Sequence, residues 1–449
     1  MNCPSTTNDT TKLDKTLGPL MLWSLGVGYV ISGMYFGWNL GLPEGGPLGM
    51  LVAMILVTVM YSTFVMSYSE LACLLPKAGG AFVYANRALG PKLGFLAGMA
   101  QCVEFIFAPP AIAAAIGAYF NIFFPTIPAL AIAMGAYLIF TGLNIYGVKH
   151  SALFEVVVTV LAVVELLIFA GVTLPHFSWS AFTTNSLPNG WWGVFPAIPY
   201  AIWFYLAIEG LANTAEESKN PQKDIARGFG SSMATLVFLA ILTFFSAIGV
   251  NGWETIVYPE GSSASSDSPL PLALAHIVGQ NNFYYHLLIT IGLFGLVASF
   301  HGIILVAGRA TFEFGRIGYA PAILGKIHPQ RKTPAAALLL NMLIGFLALL
   351  TGHTGEIITL SVFGALTMYI LSLLSLFQLR RTEPSLNRPF KTPFYPWAPA
   401  VSLLLAVFCM VSMVVINKEL ALLYLALLLG GYGWYFVAIP VTVRNNHRQ

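Results

Sequence analysis

Apolar residues gather into long runs separated by short stretches of charge, proline, glycine or asparagine. A helix needs about 20 mostly apolar residues to cross about 30 Å of hydrocarbon. By that measure the runs predict twelve membrane helices, near 17–42, 48–74, 93–123, 127–147, 152–174, 194–216, 229–252, 284–308, 334–351, 356–379, 398–417 and 420–442. The closest neighbours, 3 and 4 around Pro125 and 11 and 12 around Asn417, are expected to be tight hairpins. The fold class predicted is an all-α polytopic membrane protein.

Basic residues test this partition independently. Beginning with the N-terminus in the cytoplasm, twenty of the 21 Lys and Arg fall in inner segments and only Lys418 falls outside. The inner groups are Lys12 and Lys15; Lys77, Arg87 and Lys92; Lys149; Lys219, Lys223 and Arg227; Arg309, Arg316, Lys326, Arg331 and Lys332; Arg380, Arg381, Arg388 and Lys391; Arg444 and Arg448. One-sidedness of this degree is the positive-inside pattern, and a miscounted span would scramble it. Both termini are therefore expected in the cytoplasm, with the first helix as insertion signal, because residues 1–16 are polar and lack the apolar core of a signal peptide.

Composition narrows the function. Only 9% of the residues are charged and 57% are hydrophobic, whereas a soluble domain carries about 25% charge. A soluble enzyme, a nucleic-acid binder, a disordered regulator and a disulfide-stapled domain are excluded on that ground. Cys3, Cys73, Cys102 and Cys409 show no paired spacing, so neither a disulfide framework nor a metal site is indicated. The longest outer segments are 175–193 and 253–283. In the second, a Ser-rich stretch (Gly261 to Ser268) precedes Pro269, Pro271 and the apolar run Leu272 to Val278. It reads either as a loop and short helix resting on the outer surface or as a plain tether.

A charge at the bilayer centre is costly and marks a functional candidate. No Lys or Arg lies in a span centre; the deep ionisable residues are Glu104, Glu165, Glu209 and His301, with Glu70 and Glu155 nearer the inner ends. At 1.5 Å per residue, Glu104 sits about 18 Å beyond Lys92 and Glu209 about 15 Å from Lys219, both near the midplane. Carboxylates without a fixed cation suit a substrate that brings its own positive charge. Glu104 is either a ligand or a protonated, hydrogen-bonded packing residue. For Glu165, toward an outer vestibule, and for His301, a structural role outweighs a functional one.

Two spans are poor continuous helices. Span 1 carries Gly26, Gly28, Gly33 and Gly37, and glycine costs about 1 kcal/mol in a helix relative to alanine. Gly26 and Gly28 are read as packing positions; Ser32-Gly33 falls where a break is expected. Span 6 carries Glu209-Gly210 at mid-depth. Discontinuous helices in corresponding positions of two halves point to a transporter's binding site.

At these residues the chain resembles the amino acid–polyamine–organocation (APC) superfamily of permeases. Ile31-Ser32-Gly33-Met34-Tyr35 is similar to the family's helix 1 break, and Ala207-Ile208-Glu209 with Glu217-Ser218-Lys219-Asn220-Pro221 to its helix 6 motif. Pro76 to Ala81 with Tyr84 and Gly308-Arg309 with Arg316 to Pro321 resemble the loops after helices 2 and 8, and Asn144 to Lys149 resembles the start of helix 5. Along essentially the whole chain the likeness is to one branch, the bacterial ethanolamine permeases. It implies a 5+5 inverted-repeat (LeuT-type) fold with broken helices 1 and 6 plus two C-terminal helices. The implied organisation is a tail 1–16, a first repeat 17–174, an outer loop 175–193, a second repeat 194–380, and helices 11 and 12 with a tail over 381–449.

The resemblance implies import of ethanolamine across a bacterial cytoplasmic membrane by alternating access, with an amino-acid or polyamine permease as the alternative. No cofactor, metal or nucleic-acid partner is implied; the partners are the small cation and membrane lipids. The implied substrate-binding residues are Ile31, Ser32, Gly33, Met34, Tyr35, Glu104, Trp203, Leu206, Ala207, Ile208, Glu209 and Gly210. Trp203 is similar to a family aromatic that closes over substrate, which implies a gate at Trp203 assisted by Tyr35. Three departures from the family pattern stand out: Ile31 and Ala207 replace glycines, and Ala162 replaces a helix 5 lysine. A larger residue at 31 crowds the place where the family's amino-acid carriers bind a carboxylate. Without the lysine, Glu104, Glu165 and His301 are the deep groups left for proton coupling. A membrane-embedded enzyme of amino-alcohol lipids would need a metal-binding acidic cluster or a nucleophile and base at the inner face, and neither pattern occurs.

Overall fold

The computed structural model describes residues 15–77, 79–147 and 151–440. Lys12, Ala78, Val148, Lys149, Arg444 and Arg448, and most of the 1–16 tail, lie outside the described residues. Regular structure among the described residues is helical, apart from one parallel bridge between Leu17 and Ser218. The predicted spans map onto α1 (Pro19–Val30 and Ser32–Tyr35), α2 (Leu42–Leu74), α3 (Pro91–Asn121), α4 (Ala129–Tyr146), α5 (Ser151–Thr173) and α6 (Val194–Trp203, continued by a 3-10 helix at Ile208–Glu217). There follow α7 (Pro221–Ile248), α8 (Phe283–Arg316), α9 (Ala335–Leu349), α10 (Thr354–Thr382), α11 (Trp397–Ile416) and α12 (Lys418–Val437).

Among the described residues ten helical stretches are long and apolar enough to cross a membrane; the other two expected spans are the broken α1 and the 15-residue α9. Two helices overrun their expected ends: α7 begins at Pro221 and α8 runs to Arg316. Hydrophobicity marks where lipid stops, but the backbone ladder continues through polar residues because it is satisfied within the helix.

The inner ring of helices packs through small residues. A Cβ on Gly26 would strike Ser232 of α7, and one on Gly28 would meet Glu155 and Thr159 of α5, so both glycines serve close packing as expected. Gly364 of α10 lies directly on the α3 backbone at Ala100 and Glu104. In contrast, α12 buries only Tyr424 and Tyr435 and otherwise faces outward.

The end of the molecule rich in Lys and Arg is closed by polar clamps. The N–H groups of Thr16 and Leu17 donate to Glu217 O, Lys219 N–H donates to Leu17 O, and Arg309 pairs with Glu217 at 2.9 Å. Beside this closure Glu70, fully buried in the last turns of α2, accepts Arg380 Nε at 2.8 Å and Nη2 at 2.6 Å. Arg388 Nε sits 3.2 Å from the same carboxylate, and Thr392 donates through N (2.7 Å) and Oγ1 (2.8 Å). Glu70 thus ties segment 380–392 to α2.

At the opposite end, segment 253–283 forms a short helix, Pro269–Val278, whose Leu270, Pro271 and Leu274 are buried. The tether reading falls: the segment is a cover. Asn39 Nδ2 donates to Ser266 O at 2.8 Å, and Thr354 Oγ1 donates to Asp267 Oδ2 at 2.9 Å.

Removing one partner of a buried ion pair costs about 3–5 kcal/mol. Glu70→Ala and Glu70→Gln, which both leave Arg380 and Arg388 without their anion, are expected to lower the melting temperature in detergent; melting of both variants like wild type would overturn the clamp. Asp267 gives a pH test. Burial pushes its carboxyl up to about 6, against the hydrogen bond from Thr354. A raised acid stabilises below its unfolded pKa, so this contribution is present near pH 4 and lost as pH rises toward 6. Thermal melts from pH 4 to 7 should show that loss in wild type and not in Asp267→Asn.

Candidate functional site

The break in α1 lies at Ile31, one residue before the expected Ser32-Gly33. Ile31 keeps a helical conformation (φ −59°, ψ −23°), and Met34 N–H closes a tight turn onto Ile31 O at 3.0 Å. The larger interruption comes after Tyr35, where Phe36 is extended (φ −162°) and Gly37 takes φ +89°. Carbonyls around these interruptions find partners on neighbouring side chains. Ser299 Oγ of α8 donates to Tyr29 O at 2.7 Å and lies 2.8 Å from Ser32 Oγ. Trp38 Nε1 donates to Met34 O (3.1 Å) and Tyr119 Oη to Tyr35 O (2.9 Å).

In α6 the regular helix ends at Trp203, and Ala207 turns the chain with φ +77°, ψ 5°. Beyond it the path to Glu217 is a 3-10 helix. The two breaks touch: a Cβ on Gly33 would collide with the carbonyl oxygen of Trp203. Between them lies a cavity with room for about one water molecule, lined by Tyr29, Val30, Ser32, Trp203, Leu206 and Ala207, with Ala108 and Ile303 completing it. Trp203 covers it, packed edge-on against Phe36 (centroids 5.4 Å apart) with its ring over Gly37.

The acids form a second cluster beside this cavity rather than in its wall. Glu104 of α3 and Glu209 are both buried, and their carboxyls face each other within hydrogen-bonding range. Tyr369 Oη of α10 donates to Glu209 Oε2 at 2.9 Å and is joined to Tyr61 Oη of α2 at 2.9 Å. The amides of Ala207 and Glu209 also lie near the Glu209 carboxylate. Oε1 of Glu209 and both carboxyl oxygens of Glu104 have no hydrogen-bond donor among the described residues. Tyr61, Tyr205, Phe64 and Tyr369 build an aromatic wall around the pair, with ring centroids 4.2–5.4 Å apart.

The other expected residues lie apart. Tyr35 Oη donates to Glu165 Oε2 at 2.7 Å, and both line a separate small cavity beneath the cover helix with Tyr119, Leu270 and Leu274. His301 Nδ1 is 3.1 Å from Asn144 Nδ2; accepting there puts the ring proton on Nε2. Ile31, Met34 and Ile208 are buried packing around the breaks, and a Cβ on Gly210 would fit against Tyr29 and Phe105. Sequence reasoning misses Ser299, Tyr61 and Tyr369. Serine and tyrosine in an apolar run carry no charge cost to flag them; their only signal is a hydroxyl needing a partner.

Against known proteins, a family model described as amino acid permease matches residues 17–432. The chain is 26% identical over 440 residues to the branched-chain amino acid permease BcaP of Bacillus subtilis, covering 91% of this chain and 90% of that one. It is 24% identical over 450 residues to the low-affinity putrescine importer PlaP of Escherichia coli, covering 95% and 94%. An uncharacterized transporter of Rhizobium meliloti is 28% identical over 413 residues, covering 88% and 86%. The chain belongs to the amino acid permease family, a family of membrane transporters and not of enzymes.

Ala207 offers a direct test of the α6 turn. A left-handed residue other than glycine costs about 1–2 kcal/mol. Ala207→Gly should melt higher than wild type by up to about 1 kcal/mol of stability, and Ala207→Val, β-branched, clearly lower. A valine variant as stable as wild type would mean that the turn is not left-handed.

Proposed function

We propose that this permease imports ethanolamine, a small organic cation, by alternating access across a bacterial cytoplasmic membrane, with its basic end and both termini in the cytoplasm. In this reading 17–174 and 194–380 are the two inverted repeats, residues 1–16 and 381–449 flank them, and the closed cavity between the breaks is one stage of the cycle. Glu209 is the principal anion for the ammonium, Glu104 its partner, and Trp203 with Tyr35 the gate.

One observation carries the reading: two buried carboxyls at the α6 break with tyrosines and, among the described residues, no basic side chain against them. An ammonium supplies the missing charge. The α1 side supports a substrate without a carboxylate, because Ile31 N–H is held by Val27 O at 2.8 Å and its side chain fills the space. A second reading, polyamine import, draws on the presence of two acids where one would match a monocation, and on the similarity to a putrescine importer.

Competition in proteoliposomes separates these. Labelled ethanolamine should enter and be displaced by excess unlabelled ethanolamine. Serine, which contains the same skeleton plus a carboxylate, should compete poorly, since that group would be desolvated without a partner. Stronger inhibition by putrescine than by ethanolamine would favour the polyamine reading, and by leucine an amino-acid carrier. Glu209→Gln should fold normally and lose about 3–5 kcal/mol of ethanolamine binding, roughly two to four decades in affinity by calorimetry. If Glu209 serves only to pin α6 through backbone amides, Gln retains most of the binding and Ala destabilises the fold.

A further inference from the structure

Resting on the reading that an amine binds at the acid pair, we propose that Glu104 and Glu209 share one proton in the empty, closed site. The arriving ammonium displaces that proton, so the permease exchanges one organic monocation for one proton.

The count of donors and acceptors leads there. Two carboxylates present four oxygens, and Tyr369 Oη serves one of them. Three are left without a donor: Oε1 of Glu209 and Oε1 and Oε2 of Glu104. The amides of Ala207 and Glu209 lend only their dipoles. Among the described residues the other titratable groups acting on or beside the pair are the hydroxyls of Tyr61 and Tyr68 of α2, Tyr369 of α10 and Tyr424 of α12, and the Cys409 thiol of α11 near Tyr61. Tyr29 of α1 packs on Gly210, and the arginine that acts on it, Arg309, is held by Glu217.

Two like charges side by side in a dry site are costly, and a shared proton removes one charge while bridging two oxygens. A primary ammonium has three N–H donors, matching the three oxygens that lack one. The step balances as Glu104–COOH·Glu209–COO⁻ plus R–NH3⁺ giving Glu104–COO⁻·Glu209–COO⁻·R–NH3⁺ plus H⁺. Only an O–H bond breaks, its electrons stay on the carboxylate, and the proton leaves to water on the open side. The site carries the same net charge loaded and empty. To return empty it takes a proton from the other side, because burying the doubly ionised pair with three unserved oxygens is the costlier course.

Calorimetry of ethanolamine binding, repeated in buffers of different ionisation enthalpy, should give about one proton released per amine. Affinity should weaken about tenfold for each pH unit of acidification. Infrared spectra of the empty protein should contain a protonated-carboxyl C=O band that ethanolamine removes and that Glu104→Gln lacks. Glu104→Gln should bind without releasing a proton and with little pH dependence. In proteoliposomes, uptake should be faster with an acid interior and unchanged by a potassium-clamped voltage. Binding without proton release, or uptake accelerated by voltage, would overturn the exchange. If neither ethanolamine nor putrescine binds, the functional reading fails, while the infrared band of the empty protein still upholds or refutes the shared proton.

Discussion

Within lipid, each backbone N–H and C=O must find a partner inside the protein, and a helix broken at mid-depth releases several at once. The breaks in α1 and α6 persist because named side chains occupy the space around them. Ser299 takes the Tyr29 carbonyl, Trp38 that of Met34, and Tyr119 that of Tyr35. These partners come from α8, from α3 and from the turn just after α1, so the α1 break is held by two neighbouring helices together with its own following turn. That dependence also makes them suited to movement. Single hydroxyl contacts can be exchanged when helices rock, whereas a continuous helix would have to unravel.

Charge is handled differently at the two depths where acids are buried. At the basic end Glu70 is surrounded by Arg380, Arg388 and Thr392, a saturated cluster with no capacity for another cation. At the centre Glu104 and Glu209 have one hydroxyl between them and no arginine. The same residue type is therefore a saturated clamp in one place and an under-served pair in the other. Donor count separates the two, and burial does not, since all three side chains are buried.

The twelve spans and the presence of a break in α1 and in α6 are legible in the sequence because hydrocarbon thickness and glycine content act residue by residue, although the main interruptions fall at Phe36-Gly37 and Ala207 rather than at Ser32-Gly33 and Glu209-Gly210. Helix ends are less so: α7 and α8 run past the lipid-marking residues since their ladders need no lipid. Glu209 and Glu104 stand out through charge cost alone, but their pairing is a tertiary fact that brings α3 against the broken α6, beside Tyr369 of α10. Glu165 and His301 carry the same charge signal and end up beside Tyr35 and Asn144, away from the pair. The strongest one-dimensional signal thus ranks candidates without saying which of them meet. The hydroxyls that complete the site are invisible to it.

The departures at positions 31 and 207 act through backbone geometry. Ile31 fills the α1 break and keeps its own N–H within the helix, removing a place where an anion could be held. Ala207 keeps the left-handed turn at φ +77° and bears a strain that glycine would not. A strained position survives only where the surroundings over-determine it, and here the Trp203 carbonyl against Gly33 and the Glu209 carboxylate behind Ala207 do so. The turn that aims Glu209 at Glu104 is thereby fixed by contact with α1. The α1–α6 contact consequently bears on the carboxyl–carboxyl geometry as well. Only six positions of chain separate Trp203, whose carbonyl meets Gly33, from Glu209.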